Sequence, residues 1–474
     1  MKVLDIAVIG SGIGGSFIAA LNHKHNVMLF EKDHNLGGCA STFCHKNHYY
    51  NAGATTLVGY ESNHPIKKMF DQVSFTPNLK LSPIAMEVQH GNRKLQRTSN
   101  FKDFLEDLDQ TYHHINNRIF WTKLKEIDEK FWQLYDHLHY QPHSIKGYFK
   151  SLKSFLKLSK ELNGVLFESA DKFIQEMLPD ISNEYQAFLD AQLLITVQAK
   201  AKDVSLLSLA LGLSYPFHQV YYANGGMGKV IEDMLKPVDV KKHEKILSIK
   251  QEKDKYRIKS TKGTYIAKNV ILNATVYDSA KLFEDKAIEK YYRKFKLNDQ
   301  SAFVVYLKLR SQEEFLHHYQ IILDQKIPNA ISNAFFVSFS DKADEKLSQD
   351  GYSITISTHT QALFWDIHSK EEYNRQKKLT QTYILKQFLE HFDTIHEEDI
   401  VDIFSATSMT FNRYLGRINC GGEAVSLKNI LRLPSVTTPF KGLYNVGDTL
   451  FAGQGWPGVG LGVKILDRIL NEGR

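Results

Sequence analysis

The hydrophobic positions of this chain change rhythm several times, and each change marks a boundary. Ile6 to Ile9 and Val27 to Phe30 are unbroken apolar runs, the pattern of short strands buried on both faces. Residues 65–215 have few breakers and read mainly as helices, with Phe101, Phe104, Leu105, Leu108 and Tyr112 recurring on one side at helical spacing. Between 145 and 162, Ile145, Tyr148, Phe149, Leu152, Phe155, Leu156 and Leu162 form one face. Lys146, Lys150, Lys153, Lys157 and Lys160 form another. A packed helix with a solvated lysine face is the favoured reading, and a helix lying in an anionic membrane surface is the alternative.

After residue 219 the rhythm shortens. Val230, Ile231, Met234 and Leu235 continue a brief helix, and VDVKKHEKILSI, YRIKS, TYIAK and NVILNAT read as short β segments parted by turns. SAFVVYLKL, AFFVSFS and GYSITIST predict strands of a second sheet. Ser369 with Glu372 is a capping-box pattern before a helix reaching about Phe392. At the end LYNV is a strand, and Val459, Val463, Leu466 and Leu470 follow at helical spacing behind Pro457, which suits a helix's first position.

Glycines supply the chemistry. Gly10, Gly12 and Gly15 fill G-x-G-x-x-G between the first strand and a helical pattern. The first permits a tight turn, the second lets a pyrophosphate approach the backbone, and the third lets helix and strand pack. Glu31 ends the second strand, where an acid hydrogen-bonds a ribose 2′-hydroxyl, which favours the unphosphorylated ribose of FAD or NAD over NADP. Gly37 and Gly38 follow in an E-x5-G-G extension that resembles the start of the FAD-binding fold of flavin amine oxidases and carotenoid desaturases, and Ser41 and Thr42 are candidates to offer hydroxyls to phosphate or ribitol. A helix starting near Pro457 can aim N–H groups at the flavin's N1–C2=O edge and stabilise the charge of the reduced ring. No second G-x-G-x-x-G follows a strand, which argues against a separate NAD(P)H domain.

Composition narrows the class. At 474 residues the chain has room for two domains with sizeable cores. A net charge of +6, spread along the chain, gives no nucleic-acid signature. Three cysteines, Cys39, Cys44 and Cys420, are too few for a disulfide framework and indicate a reducing compartment. None of the close histidine sets, such as His137, His139 and His143, matches a metal motif, so no metal is expected. Asp5 breaks the N-terminal apolar run, against a signal peptide, and no stretch is long enough to span a bilayer. A cytoplasmic protein follows, with contact at the inner face of the membrane through 145–162 as an option.

GSGIGG with Glu31 and LGG, the middle YYANGGMG and the terminal GD…GQGWPGVGLG resemble the carotenoid desaturase, carotenoid isomerase and retinol saturase family within the flavin amine oxidase superfamily. ATSMTFNRYLGRINCGG is similar to the stretch preceding the last motif there. The resemblance implies an α/β protein, with a Rossmann-like FAD-binding domain in three segments (1–72, 219–290 and 426–474) interleaved with an α+β substrate-binding domain (73–218 and 291–425). It implies cofactor contacts at Gly10, Gly12, Ile13, Gly14, Gly15, Glu31, Lys32, Gly38, Cys39, Ser41, Thr42, Ala54, Thr55, Ile246, Ala274, Gly447, Asp448, Pro457, Gly458 and Val459. The expected activity is FAD-dependent hydride exchange on C–C or C=C bonds of a lipophilic polyene or isoprenoid. Alternatives are an amine-oxidase-like enzyme, from which Cys39 departs at a position that is usually Arg, and a non-catalytic prenyl-lipid escort. No catalytic residue or redox partner is identified. For Tyr221, Tyr222 and His218, which precede the middle glycine pair, core is the favoured reading and a position facing the substrate is the alternative.

Overall fold

A computed structural model describes residues 3–426, 429, 432–451, 453 and 455–472. Gln454, within the last glycine motif, lies outside the described residues. Strand Val3–Ile9 sits at the centre of a seven-stranded sheet, between Val27–Phe30 and Thr264–Leu272, both parallel to it. Asp239–Lys241 extends the sheet beyond Val27–Phe30. Ile6, Ala7 and Val8 are fully buried, as a strand covered on both faces requires. Thr264–Leu272 divides its edge: its first half pairs antiparallel with Lys255–Ser260, and Val270 to Leu272 pair parallel with Leu443–Asn445. TYIAK and NVIL are therefore one nine-residue strand rather than two segments. Chain from near the beginning, the middle and the end meets in this one sheet.

The second sheet also has seven strands, in the order Ile400–Ala406, Ser301–Leu309, Tyr352–Thr360, Ala334–Phe339, His318–Ile322, Ile84–His90 and Arg93–Thr98. All neighbours are antiparallel except His318–Ile322 with Ile84–His90. The last two strands lie inside 65–215, which is otherwise mainly helical as its sequence reads. Ile84–His90 and Arg93–Thr98 form a hairpin across Gly91-Asn92, where Gly91 has φ +57°. Helices Phe101–Thr111, Asn117–Leu134, Ile145–Glu161, Ala170–Met177, Asn183–Val197 and Leu206–Ser214 follow, with Leu206–Ser214 packed against three of the others. Arg97 joins sheet to helices. Fully buried, it lies against Phe104, Trp121 and Phe217, donates from Nη1 to Gln192 Oε1 at 3.1 Å and from Nη2 to Leu213 O.

The 145–161 helix is turned the other way from the favoured expectation. Gly147, Ser151, Ser154 and Leu158 are its buried residues. A Cβ on Gly147 would lie 2.5 Å from Gln141 O, and Ser151 and Ser154 accept the N–H groups of Gln141 and His139. These small residues let a preceding loop lie against the helix, so the apolar ridge faces outward. Ile145 is 81% exposed, Phe149 63% and Leu156 60%.

Buried neutral histidines set the acid response. His318 sits between Thr56 Oγ1 (2.7 Å from Nε2) and Ser338 Oγ (3.1 Å from Nδ1), and burial pushes its pKa down to about 3. Burial likewise lowers His359 and His143 to about 4. The unfolded chain takes up these protons near pH 6.5 and the fold does not, so stability is full above that pH and falls as pH drops toward the folded pKa. Each such histidine contributes a slope of about 1.4 kcal/mol per pH unit. Denaturant midpoints measured from pH 7 to 4.5 are expected to fall, and less steeply in His318→Asn; equal slopes would refute the assignment.

Candidate active site

Two glycine turns build the first half of the site. The strand Val3–Ile9 ends at Gly10, and the helix Ile13–Leu21 starts behind Gly12 with no side chain capping it, which leaves its first-turn N–H groups to phosphate oxygens. The second turn rests on the first: Gly12 bridges Gly37, Gly37 N–H donates to Ser11 Oγ at 3.2 Å, and a Cβ on Gly38 would lie 3.4 Å from Gly12 Cα. Asn273 backs both. A Cβ on Gly12 would fall 2.5 Å from its Nδ2, and one on Gly14 3.1 Å from its Oδ1. Only hydrogen at these α-carbons lets turn and asparagine meet.

Glu31 is held in place. Its Oε2 accepts the Ser11 N–H at 2.9 Å and the Ser11 hydroxyl at 2.6 Å, while Oε1 accepts Asp33 N–H at 3.0 Å. Donors on both oxygens orient the carboxylate before any ribose arrives.

At the other end, Gly447 and Asp448 leave the strand Leu443–Asn445. Arg417 Nη1 donates to Asp448 Oδ1 at 2.9 Å and Oδ2 at 3.0 Å, and its Nε donates to Asn419 O at 2.7 Å. Burial would lower the guanidinium's pKa, yet the Asp448 carboxylate beside it holds it above its ordinary value. Its Nη2 is buried with no partner among the described residues. The helix Gly455–Glu472 starts two residues ahead of Pro457, which is its third residue and not its first.

Of the sequence candidates, Gly10, Gly12, Ile13, Gly14, Glu31, Lys32, Gly38, Cys39, Ala54, Thr55, Ile246, Ala274, Gly447, Asp448, Pro457, Gly458 and Val459 line one cavity of about 940 Å³. Three do not. Gly15 is a packing glycine, with Gly10 O only 2.2 Å from where its Cβ would be. Thr42 is consumed internally: its hydroxyl donates to Asn51 Oδ1 at 3.0 Å and accepts Gly228 N–H at 2.9 Å. That contact explains the middle glycine pair, since a Cβ on Gly226 (φ +90°) would fall 2.3 Å from Thr42 Oγ1. Ser41 is buried away from the cavity. Arg417, Ser11 and Asn273, unassigned from the sequence, belong to the site. Asn273 sits in NVILNAT, at the tip of the strand beside the first glycine turn, and that position is the signal that could have found it.

A continuous cradle with a carboxylate at the ribose position fits a dinucleotide. Residues 8–73 match the NAD(P)-binding Rossmann-like domain. The prolycopene isomerase of Daucus carota is 23% identical over 486 residues, covering 95% of this chain and 77% of that protein. The Arabidopsis thaliana prolycopene isomerase is 21% identical over 503 residues, covering 96% and 80%. Over nearly its whole length the chain is similar in sequence to these prolycopene isomerases. Solved structures share the fold: an oxidoreductase from Methanosarcina mazei (TM-score 0.66, 20% identity, 98% of this chain and 100% of that one), and cyclohexylamine oxidase from Brevibacterium oxydans (TM-score 0.62, 13% identity, 99% of each). The cavity runs past the cradle into apolar walls, with Phe131, Phe155, Leu158, Leu194, Leu207 and Phe336 drawn from helices and second sheet alike. His218 opens onto it, with Asp128 and His64, which corrects its reading as core; Tyr222 is buried and donates to Asp344 Oδ2 at 2.7 Å. Among the described residues, no helix is long and apolar enough to cross a membrane.

Proposed function

We propose that this protein oxidises, reduces or isomerises C–C and C=C bonds of a lipophilic polyene or isoprenoid. The observation that carries the reading is the cavity itself: one space joins the dinucleotide cradle to walls of leucine and phenylalanine that can accept a hydrocarbon chain. FAD, when bound, supplies a hydride acceptor or donor at its N5. The chain's own residues do the rest. Ser11 and Glu31 fix the ribose end, and the Arg417–Asp448 pair ties the loop before the last motif to the flavin end. The apolar walls exclude water and align the substrate. Prolycopene isomerase relatives support a polyene. The test is anaerobic incubation of the FAD-loaded protein with polyenes of defined geometry, followed by product chromatography and flavin absorbance. Bleaching or a changed isomer ratio supports the reading; inertness with polyenes, and peroxide released from amines, would replace it with an amine oxidase.

The 145–161 helix suits delivery from lipid. Phe155 and Leu158 face the cavity, whereas Ile145, Tyr148, Phe149, Leu152 and Leu156 face outward among exposed Lys146, Lys153, Lys157 and Lys160. Inserting one large apolar side chain is worth about 2 kcal/mol, and each lysine near an anionic leaflet about 1 kcal/mol. We expect Phe149→Asp to reduce co-sedimentation with vesicles containing phosphatidylserine at least tenfold without lowering stability, since the side chain packs against little. Unchanged sedimentation would remove the membrane from the proposal.

A further inference from the structure

A polar cluster interrupts the cavity's apolar wall, and strand pairing assembles it. Val58 pairs with Val220 and Leu57 with Tyr221, so continuing that antiparallel register puts residue 218 across from residue 60. Glu61 and His64 belong to one turn, closed by His64 N–H to Glu61 O at 2.9 Å, just before the helix Pro65–Gln72. Three residues apart on a turn, their side chains leave on the same side. Glu61, His64 and His218 each offer a ligand atom within 4.8 Å of the others.

The bonding around these atoms is that of a ligand set. His218 Nε2 donates to Asp128 Oδ2 at 2.5 Å, and Asp128 Oδ1 accepts Trp132 Nε1–H at 3.1 Å. The imidazole is thereby held with its proton on Nε2, which leaves the Nδ1 lone pair to bind. Carboxylate, histidine and metal in series is the arrangement that orients histidine ligands in metalloproteins. His64 is 1% exposed, stacked on Trp132 at 4.3 Å, and neither ring nitrogen has a partner among the described residues. Glu61 uses Oε1 to accept Gln219 N–H, and its buried Oε2 has no partner either. Leaving such donors and acceptors buried and unmet is costly. A single cation would take up Glu61 Oε2, one His64 nitrogen and the free His218 nitrogen.

We propose that Glu61, His64 and His218 form a mononuclear site for a divalent transition-metal ion, oriented by Asp128. Two carboxylates and two neutral imidazoles carry a charge of −2, which a divalent ion balances. Two nitrogens and one carboxylate oxygen suit Zn(II) or Fe(II) and disfavour Mg(II) or Ca(II), which take all-oxygen shells. His64, Asp128 and His218 line the cavity, so the ion's remaining positions face the substrate space and take water or an oxygen of the substrate. The site shares the cavity with the dinucleotide cradle but uses none of the cradle residues named above, and it does not rest on the identity of the substrate.

The test loads FAD-bound protein, stripped with chelator, with zinc sulfate. After gel filtration, zinc and FAD per chain are measured by elemental analysis and absorbance. Wild type is expected to retain about one zinc per chain. Glu61→Gln and His64→Ala should lose the ion, and Asp128→Asn should weaken it about 10- to 100-fold, all with FAD content unchanged. If His64→Ala fails to fold, Glu61→Gln decides, together with Co(II), whose absorption beyond the flavin bands should appear in wild type and vanish in that variant. Retention below about 0.1 ion per chain by wild type, or equal retention by Glu61→Gln, overturns the site.

Discussion

Gly15→Ala is expected to purify with at least tenfold less FAD and a lower melting temperature. The added methyl would sit 2.2 Å from Gly10 O and 2.9 Å from Asn273 Cβ. Neither can withdraw, because Gly10 N–H is bonded to Phe30 O at 2.8 Å and Asn273 N–H to Ile9 O at 2.9 Å, both inside the central sheet. Relief requires the helix Ile13–Leu21 to lift off the strand, which costs about 3 kcal/mol. Alanine's better helix propensity returns about 1 kcal/mol, so strain wins by about 2 kcal/mol. Lifting the helix also withdraws the first-turn N–H groups from the phosphates, so cofactor is lost along with stability. Flavin absorbance per chain and a thermal melt measure both. Wild-type values for each would mean that the turn relaxes.

Arg417→Met carries the second large effect. It leaves the Asp448 carboxylate with the Gly421 N–H at 3.2 Å as its remaining donor among the described residues, and it cuts the Nε tether to Asn419 O. Removing one partner of a largely buried ion pair costs about 3 kcal/mol. Loop 416–422 and the turn at Gly447-Asp448 both line the cavity and would separate, so FAD affinity is expected to fall at least tenfold. Arg417→Lys keeps the charge but not the two-sided fork, and should recover part of the stability and less of the affinity. Urea unfolding with and without FAD separates the two. Loss of stability with unchanged FAD affinity would make the pair structural only.

The carotenoid-enzyme resemblance and the glycine signals led to the cradle because its parts are local. Gly10 to Gly15, Glu31 and Gly37-Gly38 lie within 29 residues, and each position answers to the geometry of a turn. Periodicity likewise marked Phe104, Leu105, Leu108 and Tyr112, all buried along one helix. The hairpin 84–98 escaped because strand Arg93–Thr98 is mostly polar, and its Gly91-Asn92 turn was passed over in a region read for helices.

What the sequence by itself determined is therefore the chemistry that neighbouring residues specify: a strand–turn–helix with a spaced acid, a second glycine turn, and the strands that carry them. What only the tertiary structure decided is set by partners far away in the chain. The 145–161 helix buries its small residues because a loop needs room beside Gly147 and Ser151, and no periodicity reveals where that loop lies. Thr42 looks like a cofactor ligand until Gly226 and Gly228 arrive to claim its hydroxyl. Glu61, His64, Asp128 and His218 span more than 150 residues and become one cluster through the pairing of Val58 with Val220 and the packing of helix Asn117–Leu134. Local geometry is written in local spacing. Long-range juxtaposition exists only once the sheets and helices have closed.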